Sequence, residues 1–183
     1  MALLSILKYP DRFLRTKAEP VASVDDPIKT LVSDMAETMF AARGIGLAAV
    51  QVGVAKRVIV ADVPKSGADD EERERHRGEN IIALINPVIV SSGGDIRYDE
   101  GCLSVPGITA EVARAENVVV KALSKQGREI TIEASGLLAI VLQHEIDHLD
   151  GILFIDRLSR LKREIIKRRL KKSIVEEEAR AAF

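Results

Sequence analysis

The HExxH motif that runs from His144 to His148 constrains this chain more than any other feature of its sequence. In a helix, histidines four residues apart lie on one face, close enough for both imidazoles to reach one metal ion. Leu137 and Val141 continue the same stripe, and imidazoles on an apolar face cost free energy unless they bind something. The motif therefore predicts a metal-binding helix, with Glu145 placed to take a proton from metal-bound water.

Two histidines do not complete a metal site, and the sequence offers three sources for another ligand. Zinc endopeptidases that read HExxHxxGxxH would match at Gly151, but Phe154 stands where their last histidine is needed. A second protease type uses a downstream glutamate, and Glu164 or Glu176–Glu178 could serve, although both lie among lysines and arginines. Cys102 is the better candidate, because a thiolate and two imidazoles leave the fourth position open, as in catalytic sites.

Hydrophobic periodicity and capping residues place the regular elements. A helix begins at the cap Asp25-Asp26-Pro27, and Gly44 is placed to end it. Strands are predicted over 57–63, 81–90, 117–124 and 128–135, the last two joined by a turn at 125–127. A second helix covers 135–149, and a third begins near Leu158. This order predicts an α+β fold, with antiparallel sheets packed around a central HExxH helix and a helix near each end.

Length and composition set the remaining bounds. A chain of 183 residues fits one catalytic domain, 1–183. The 27 Lys and Arg nearly cancel the 28 Asp and Glu, which gives no general attraction to DNA or a membrane surface. No segment approaches the roughly 20 apolar residues of a membrane span, and the first residues lack the features of a signal peptide. The single cysteine excludes an internal disulfide, so the sequence predicts a cytoplasmic protein.

Residues 64–80 form a highly charged stretch that is predicted to be an exposed insertion without chemistry. This stretch holds His76, the one histidine outside the HExxH motif. Mixed charges around it favour a solvated ring over a metal ligand, so the predicted site omits His76.

Three separated motifs resemble those of bacterial peptide deformylases, and they occur in the same order. Residues 44–51 read GIGLAAVQ, which is similar to the family's GxGLAAxQ. Residues 100–104 read EGCLS, and residues 143–149 read QHEIDHL, which is similar to QHExDHL. The resemblance covers nearly the whole chain. It implies that the formyl group is removed from the N-formylmethionine of newly made polypeptides, with release of formate.

The resemblance also implies roles for individual residues. Cys102, His144 and His148 would hold the metal, while the Gln51 side chain and the Leu103 N–H would stabilise the oxyanion. An amide and a backbone N–H are suitable donors, because they form a preorganised cradle for developing negative charge. The family commonly uses ferrous iron, with nickel or cobalt as working substitutes and zinc usually less active. One thiolate and two imidazoles suit several divalent metals, so the ligand types do not choose among these ions.

The methionine side chain of such a substrate needs an apolar slot beside the metal. The positions one or two turns before His144 could wall this slot, although plain core positions explain them equally well: Leu137, Ile140 and Val141. The resemblance adds Ile45 and Tyr98, and two glycines would let backbone approach closely: Gly46 and Gly101. Residues 107–109 read GIT where some family members carry an arginine, which leaves the peptide preference open.

The C-terminal segment, about 157–183, is predicted to be a basic helix. Between Arg157 and Lys172 it carries nine Lys or Arg and one acid, with an apolar stripe at Leu158, Leu161, Ile165 and Ile166. A solvated helix packed on the domain explains this pattern. The resemblance suggests instead that the helix docks on ribosomal RNA, where phosphate contacts would weaken with salt.

Two alternatives to a deformylase remain open from the sequence. One is an HExxH zinc endopeptidase, and the other is a non-catalytic, ribosome-associated metal-binding protein. Retention of Glu145, Gln51 and Cys102 argues against the second. The role of Asp147 is also open, because it could orient a metal-bound histidine or pair with an arginine elsewhere.

Overall fold

The structure, a computed structural model, describes residues 2–64, 71–72 and 78–181, with side chains as far as Lys172. Most of the charged stretch at 64–80, His76 included, lies outside the described residues. Within the described part, no helix is both long and apolar enough to cross a bilayer.

The strands form two antiparallel sheets. A five-stranded sheet has the order β1-β2-β3-β6-β7, with bounds Gly46–Ala48, Val58–Ala61, Ile82–Gly93, Asn117–Leu123 and Glu129–Ser135. A separate hairpin pairs β4 (Ile96–Cys102) with β5 (Val105–Arg114). The four predicted strands correspond to β2, β3, β6 and β7, whereas β1, β4 and β5 were not predicted. Helices combined with antiparallel sheets confirm the α+β class.

Helix α1 (Asp26–Ala41) begins at the predicted cap, but the residue that ends it is not the predicted Gly44. The Asp25 side chain accepts from the Ile28 N–H at 3.1 Å, which caps the first turn. At the other end Arg43, not Gly44, takes the left-handed conformation, with φ 55°. The Gly44 N–H donates back to Met39 O at 2.9 Å, so the helix ends in a Schellman motif whose glycine position holds an arginine.

Helix α2 (Gly136–Leu149) carries the HExxH motif and packs on one face of the five-stranded sheet. Ala139, Leu142 and Ile146 are buried against strand residues such as Leu84 and Val120. Helix α1 covers the other face at β1 and β2, with its own buried cluster. The HExxH helix is therefore fixed by packing on the sheet.

Gly151 lies in the turn that follows α2, and its backbone is left-handed, with φ 73°. A Cβ at this position would lie 2.5 Å from the carbonyl oxygen of Arg15. The turn thus requires glycine for conformation and space. This requirement explains the glycine that matched the endopeptidase pattern without invoking a metal site.

The C-terminal helix, α3 (Arg160–Ala181), follows a short 3-10 helix at Phe154–Arg157. Its apolar residues lie on two different faces of the helix, so the prediction of a single apolar stripe is wrong. Ile166 is buried with Leu158 in the cluster beneath β5. Leu161 and Ile165 are 73% and 46% exposed, and they lie among basic side chains.

Candidate metal centre and active site

Three potential ligands meet where the end of β4 faces α2. The Cys102 sulfur lies 3.2 Å from His148 Nε2, and the ligand atoms of Cys102, His144 and His148 all lie within 4.8 Å of one another. The two imidazole centroids are 5.0 Å apart. A set of one sulfur and two ring nitrogens can bind a divalent ion and leave a coordination position for another molecule.

His144 is oriented by a carboxylate on the neighbouring strand. Its Nδ1 lies 2.7 Å from an oxygen of Glu100, which fixes the ring and leaves Nε2 available as a ligand atom. Arg114 donates two hydrogen bonds to the Glu100 carboxylate, of 2.6 and 2.9 Å. Burial alone would raise the pKa of Glu100, but the bonds from Arg114 and His144 lower it to about 2. Glu100 is therefore an anion at neutral pH.

The two imidazoles have different electrostatic surroundings. Burial lowers the pKa of His148 well below its usual value, and the nearby charge of His144 adds to this effect. Burial would also lower the pKa of His144, but contacts with Cys102 and Glu100 outweigh it, and these protein groups raise that pKa to about 10. The groups that favour a proton on His144, the Cys102 sulfur and the Glu100 carboxylate, are also ones that favour a metal cation, and metal binding would release such a proton.

Glu145 lies beside this centre and is buried. Among the described residues, its Oε2 has no hydrogen-bond partner. Burial is the main reason that its pKa is raised to about 7. An unpartnered carboxylate with a pKa near neutrality can take up and release a proton at physiological pH, as a general base must.

Strand β1 passes so close to Glu145 that only glycine fits at position 46. A Cβ on Gly46 would collide with Oε1 of Glu145 and lie 3.0 Å from both its Cδ and Val141 Cγ1. The backbone of β1 therefore forms one wall around the carboxylate. This packing holds Glu145 in place.

We expect Gly46→Ala to lower activity by about 10²-fold, because the added methyl would displace the Glu145 carboxylate by a fraction of an ångström or more. Gly93→Ala is the matched control, since a Cβ there meets nothing within 4 Å. The measurement is the turnover rate of both variants, with metal content determined alongside. Normal turnover by Gly46→Ala would contradict the proposed position of the base.

Gln51 is held with its amide nitrogen toward the metal centre. Its oxygen accepts from the Ala48 N–H at 2.7 Å. Its nitrogen lies 3.1 Å from Ser104 Oγ and 3.5 Å from the Cys102 sulfur. Leu103 lies in the turn between β4 and β5, directly after Cys102. Both predicted oxyanion donors are thus adjacent to Cys102 in space or in sequence.

These side chains line one open cavity of about 570 Å³. Except for His148, which is fully buried behind it, every residue predicted for the site lines this cavity: Ile45, Gly46, Gln51, Tyr98, Gly101, Cys102, Leu103, Leu137, Ile140, Val141, His144 and Glu145. Nine further lining residues were not predicted as site residues: Arg43, Gly44, Asp99, Glu100, Val105, Pro106, Gly107, Ile108 and Thr109.

Comparison with known proteins decides the family. The family model for polypeptide deformylase matches residues 3–164. The chain belongs to this family. It is 55% identical to a peptide deformylase of Neisseria gonorrhoeae, over 94% of this chain and 96% of that protein. It is 51% identical to one from Thermodesulfovibrio yellowstonii, over 93% and 98% of the two chains.

Solved structures agree with this assignment. The crystal structure of a peptide deformylase from Legionella pneumophila matches with a TM-score of 0.86 and 45% identity, over 97% of this chain and 98% of that one. The predicted resemblance to deformylases is therefore confirmed, and with it hydrolase activity and metal dependence at the family level.

Three polar residues of this deformylase site received no role from the sequence. Glu100 and Ser104 stand inside the EGCLS motif, and their contacts with His144 and Gln51 explain two of its positions. Arg114 lies ten residues further on and gave no signal, because its partner becomes visible only when β5 pairs with β4. A search for carboxylates two residues from a predicted metal ligand would have found Glu100.

Asp147 pairs with arginines, which was one of its two predicted roles. It accepts from Arg114 at 2.6 Å and from Arg157 at 2.6 and 2.5 Å. Among the described residues it makes no direct bond to either metal-site histidine. Asp147 is therefore connected to His144 through Arg114 and Glu100.

Among the residues with described side chains, the ligands of the endopeptidase alternative are not assembled; the side chains of Glu176–Glu178 lie outside that part of the chain. Phe154 is buried and stacks on His144, with ring centroids 6.1 Å apart. Glu164 lies on α3 and pairs with Lys167 at 3.4 Å. A deformylase with a Cys-His-His set accounts for the site without either residue.

Proposed function

We propose that this chain hydrolyses the N-formyl group of N-formylmethionyl peptides and releases formate. The observation that carries the proposal is the position of Glu145, buried and unpartnered among the described residues, beside an open Cys-His-His set. Membership of the deformylase family supports the same reaction. We assign the activity to a single catalytic domain, 1–183, acting in the cytoplasm.

Cys102, His144 and His148 would hold one divalent ion, and we propose ferrous iron, with nickel, cobalt or zinc as substitutes. A thiolate and two imidazoles are compatible with each of these ions. When bound, the ion supplies Lewis acidity, which polarises the substrate carbonyl and makes water a stronger acid. Glu100 supports the set by holding His144 in the ligand orientation.

The chain's own residues would move the protons and hold the developing charge. Glu145 would accept a proton from the attacking water and pass it to the leaving amine, acting first as base and then as acid. The Gln51 amide and the Leu103 N–H would donate to the oxyanion. The bonds from Ala48 and Ser104 fix the Gln51 amide before substrate arrives, so little reorganisation is needed.

The apolar lining of the cavity would bind the methionine side chain. Ile140 and Val141 are buried on the helix turn before His144, and Leu137 is partly exposed one turn earlier. Ile45 and Tyr98 are 37% and 42% exposed at the same cavity. Such partly exposed apolar groups can be covered by an incoming side chain, while Gly46 and Gly101 would let its backbone approach.

Formate release is the direct test. Anaerobically purified protein would be mixed with a formyl-Met peptide and, separately, with an acetylated peptide that offers only internal bonds. We expect formate from the first and no cleavage of the second. Chelation should abolish release, and ferrous iron should restore it. Internal cleavage without formate would overturn the proposal in favour of an endopeptidase.

We also propose that α3 docks on ribosomal RNA. Its exposed Leu161 and Ile165 lie among basic residues, whereas Ile166 and Leu170 anchor the helix to the domain. The charge is thus presented outward on a helix that the core holds in place. Anionic phosphates are the complementary partner for such a surface.

Ribosome binding should be steeply dependent on salt. If six or more phosphates are contacted, affinity should fall about 10³-fold or more between 50 and 200 mM salt. Reversing the charge of Lys162 and Arg169 should weaken co-sedimentation with ribosomes, while Lys121→Glu on the sheet is the control. Removal of α3 is a poorer test because it would expose the core at Ile166. Binding that ignores both salt and the charge reversal would refute this proposal.

A further inference from the structure

Arg43 lies at the rim of the catalytic cavity in a conformation that arginine rarely adopts. It occupies the left-handed position that ends α1, with φ 55°. Glycine is usual there because a Cβ crowds the following carbonyl oxygen in that region. The sequence even supplies a glycine at the next position. Ending the helix therefore does not by itself explain why an arginine occupies this left-handed position.

The Arg43 guanidinium is exposed and uncommitted. Within the described residues it makes no hydrogen bond or ion pair, while its side chain lines the same cavity as Glu145 and Cys102. It lies three positions before Gly46, which is next to Glu145, so at most about 10 Å of backbone lies between the two positions. A peptide substrate covers this distance with the one or two residues that follow its formylmethionine.

The cations and anions of the cavity define what Arg43 can select. The charge of Glu100 is balanced by its ion pair with Arg114, and Glu145 is the proposed proton-transfer group. Asp99 also lines the cavity, from β4, and opposes any acidic ligand. Arg97, on the same strand, pairs with Glu111 at 3.1 Å and does not line the cavity. Arg43 is thus the uncommitted cation among the described lining residues.

We infer that Arg43 is a specificity-determining residue that favours peptides with an acidic side chain at the first or second position after formylmethionine. The inference rests on the proposed deformylase activity and adds a substrate preference to it. An exposed ion pair contributes modestly, so the preference for Glu over Gln should be about two- to five-fold in kcat/KM. It should appear in KM and not in kcat, because the charge lies away from the reacting bond.

Kinetics with formyl-Met peptides that carry Glu, Gln or Lys at these positions test the inference. Arg43→Glu should reverse the order of preference, and Asp99→Asn should strengthen the preference for Glu. Arg97→Gln, the matched control, should change neither. High salt should reduce the preference of the wild-type protein, because the pair is exposed to solvent.

Arg43→Gly separates substrate binding from folding. Glycine relieves the left-handed strain, so this variant should melt at or above the wild-type temperature while losing the acidic preference. Calorimetry with the deformylated product peptides measures the same preference without turnover. Formate release with equal kcat/KM for Glu, Gln and Lys peptides would overturn the inference and leave the proposed function intact. Absence of formate from every peptide would instead overturn the function, and product binding would still judge Arg43.

Discussion

Glu145→Gln should lower formate release by about 10²–10⁴-fold while the protein keeps its metal. Glutamine has nearly the same shape, so it can occupy the space beside Gly46 without disturbing α2. It cannot accept the proton from the attacking water or return it to the leaving amine. The measurements are kcat/KM for a formyl-Met peptide and metal content per chain.

Glu164→Gln is the control for this prediction. Glu164 is the glutamate that an endopeptidase of the alternative type would use, and it lies exposed on α3 beside Lys167. We expect wild-type activity and metal content from this variant. A Glu145→Gln protein that still releases formate at the normal rate would show that another group moves the proton.

Arg114→Met should lower the free energy of unfolding by about 3–5 kcal/mol. Arg114 is buried between two acids, with bonds of 2.6 Å to both Glu100 and Asp147. Methionine fills similar volume but leaves both carboxylates without their shared partner. Burial then makes their charge costly, so the loss exceeds that of an ordinary ion pair. Denaturant unfolding of the wild-type and variant proteins measures the difference.

The same hairpin provides a matched control in Arg97→Met. Arg97 and Glu111 also pair β4 with β5, but their side chains are 72% and 49% exposed. Exposed pairs of this kind contribute about 0–1 kcal/mol, so this variant should be nearly as stable as wild type. Equal losses from the two substitutions would refute the claim that the Arg114 pair is special because it is buried.

The pH dependence of stability should distinguish the same two variants. The pKa of Glu100 is lowered from its model-compound value of 4.5 to about 2. A carboxylate whose pKa is lowered by folding stabilises the protein above its unfolded pKa, and this contribution is lost as pH falls from about 4.5 toward 2. Arg114→Met should remove most of this acid-sensitive stability, whereas Arg97→Met should retain it.

Local signals in the sequence were sufficient for α1, α2 and four strands. Each of these elements has a cap, a turn residue or a clear apolar period that acts over a few residues. The proline in the first turn of α1 and the glycine after α2 are examples, since their backbone preferences do not depend on the rest of the chain. The positions of His144 and His148 on one face follow from helix geometry alone.

The β4–β5 hairpin was not predicted from the sequence, and the reason is physical. Most of β4 is exposed, so it lacks the apolar alternation of a half-buried strand. Strand β5 contains Pro106 and Gly107, which are normally signals for a turn. The hairpin is stabilised by long-range contacts, including the cluster that α3 shares with Val105 and Val112. Such contacts have no signature within a short window of sequence.

The sequence by itself determined the family and was enough to predict the ligand set and the base, because those depend on residue identity at fixed local spacing. Only the tertiary structure brought Cys102 within 3.2 Å of a histidine 46 residues away and set Gly46 against Glu145. It also gave Glu100, Arg114 and Asp147 their roles, since each is defined by a partner on another element. Arg43 shows the same limit, because its place at the cavity rim exists only once the end of α1 and the β4–β5 hairpin line the same cavity.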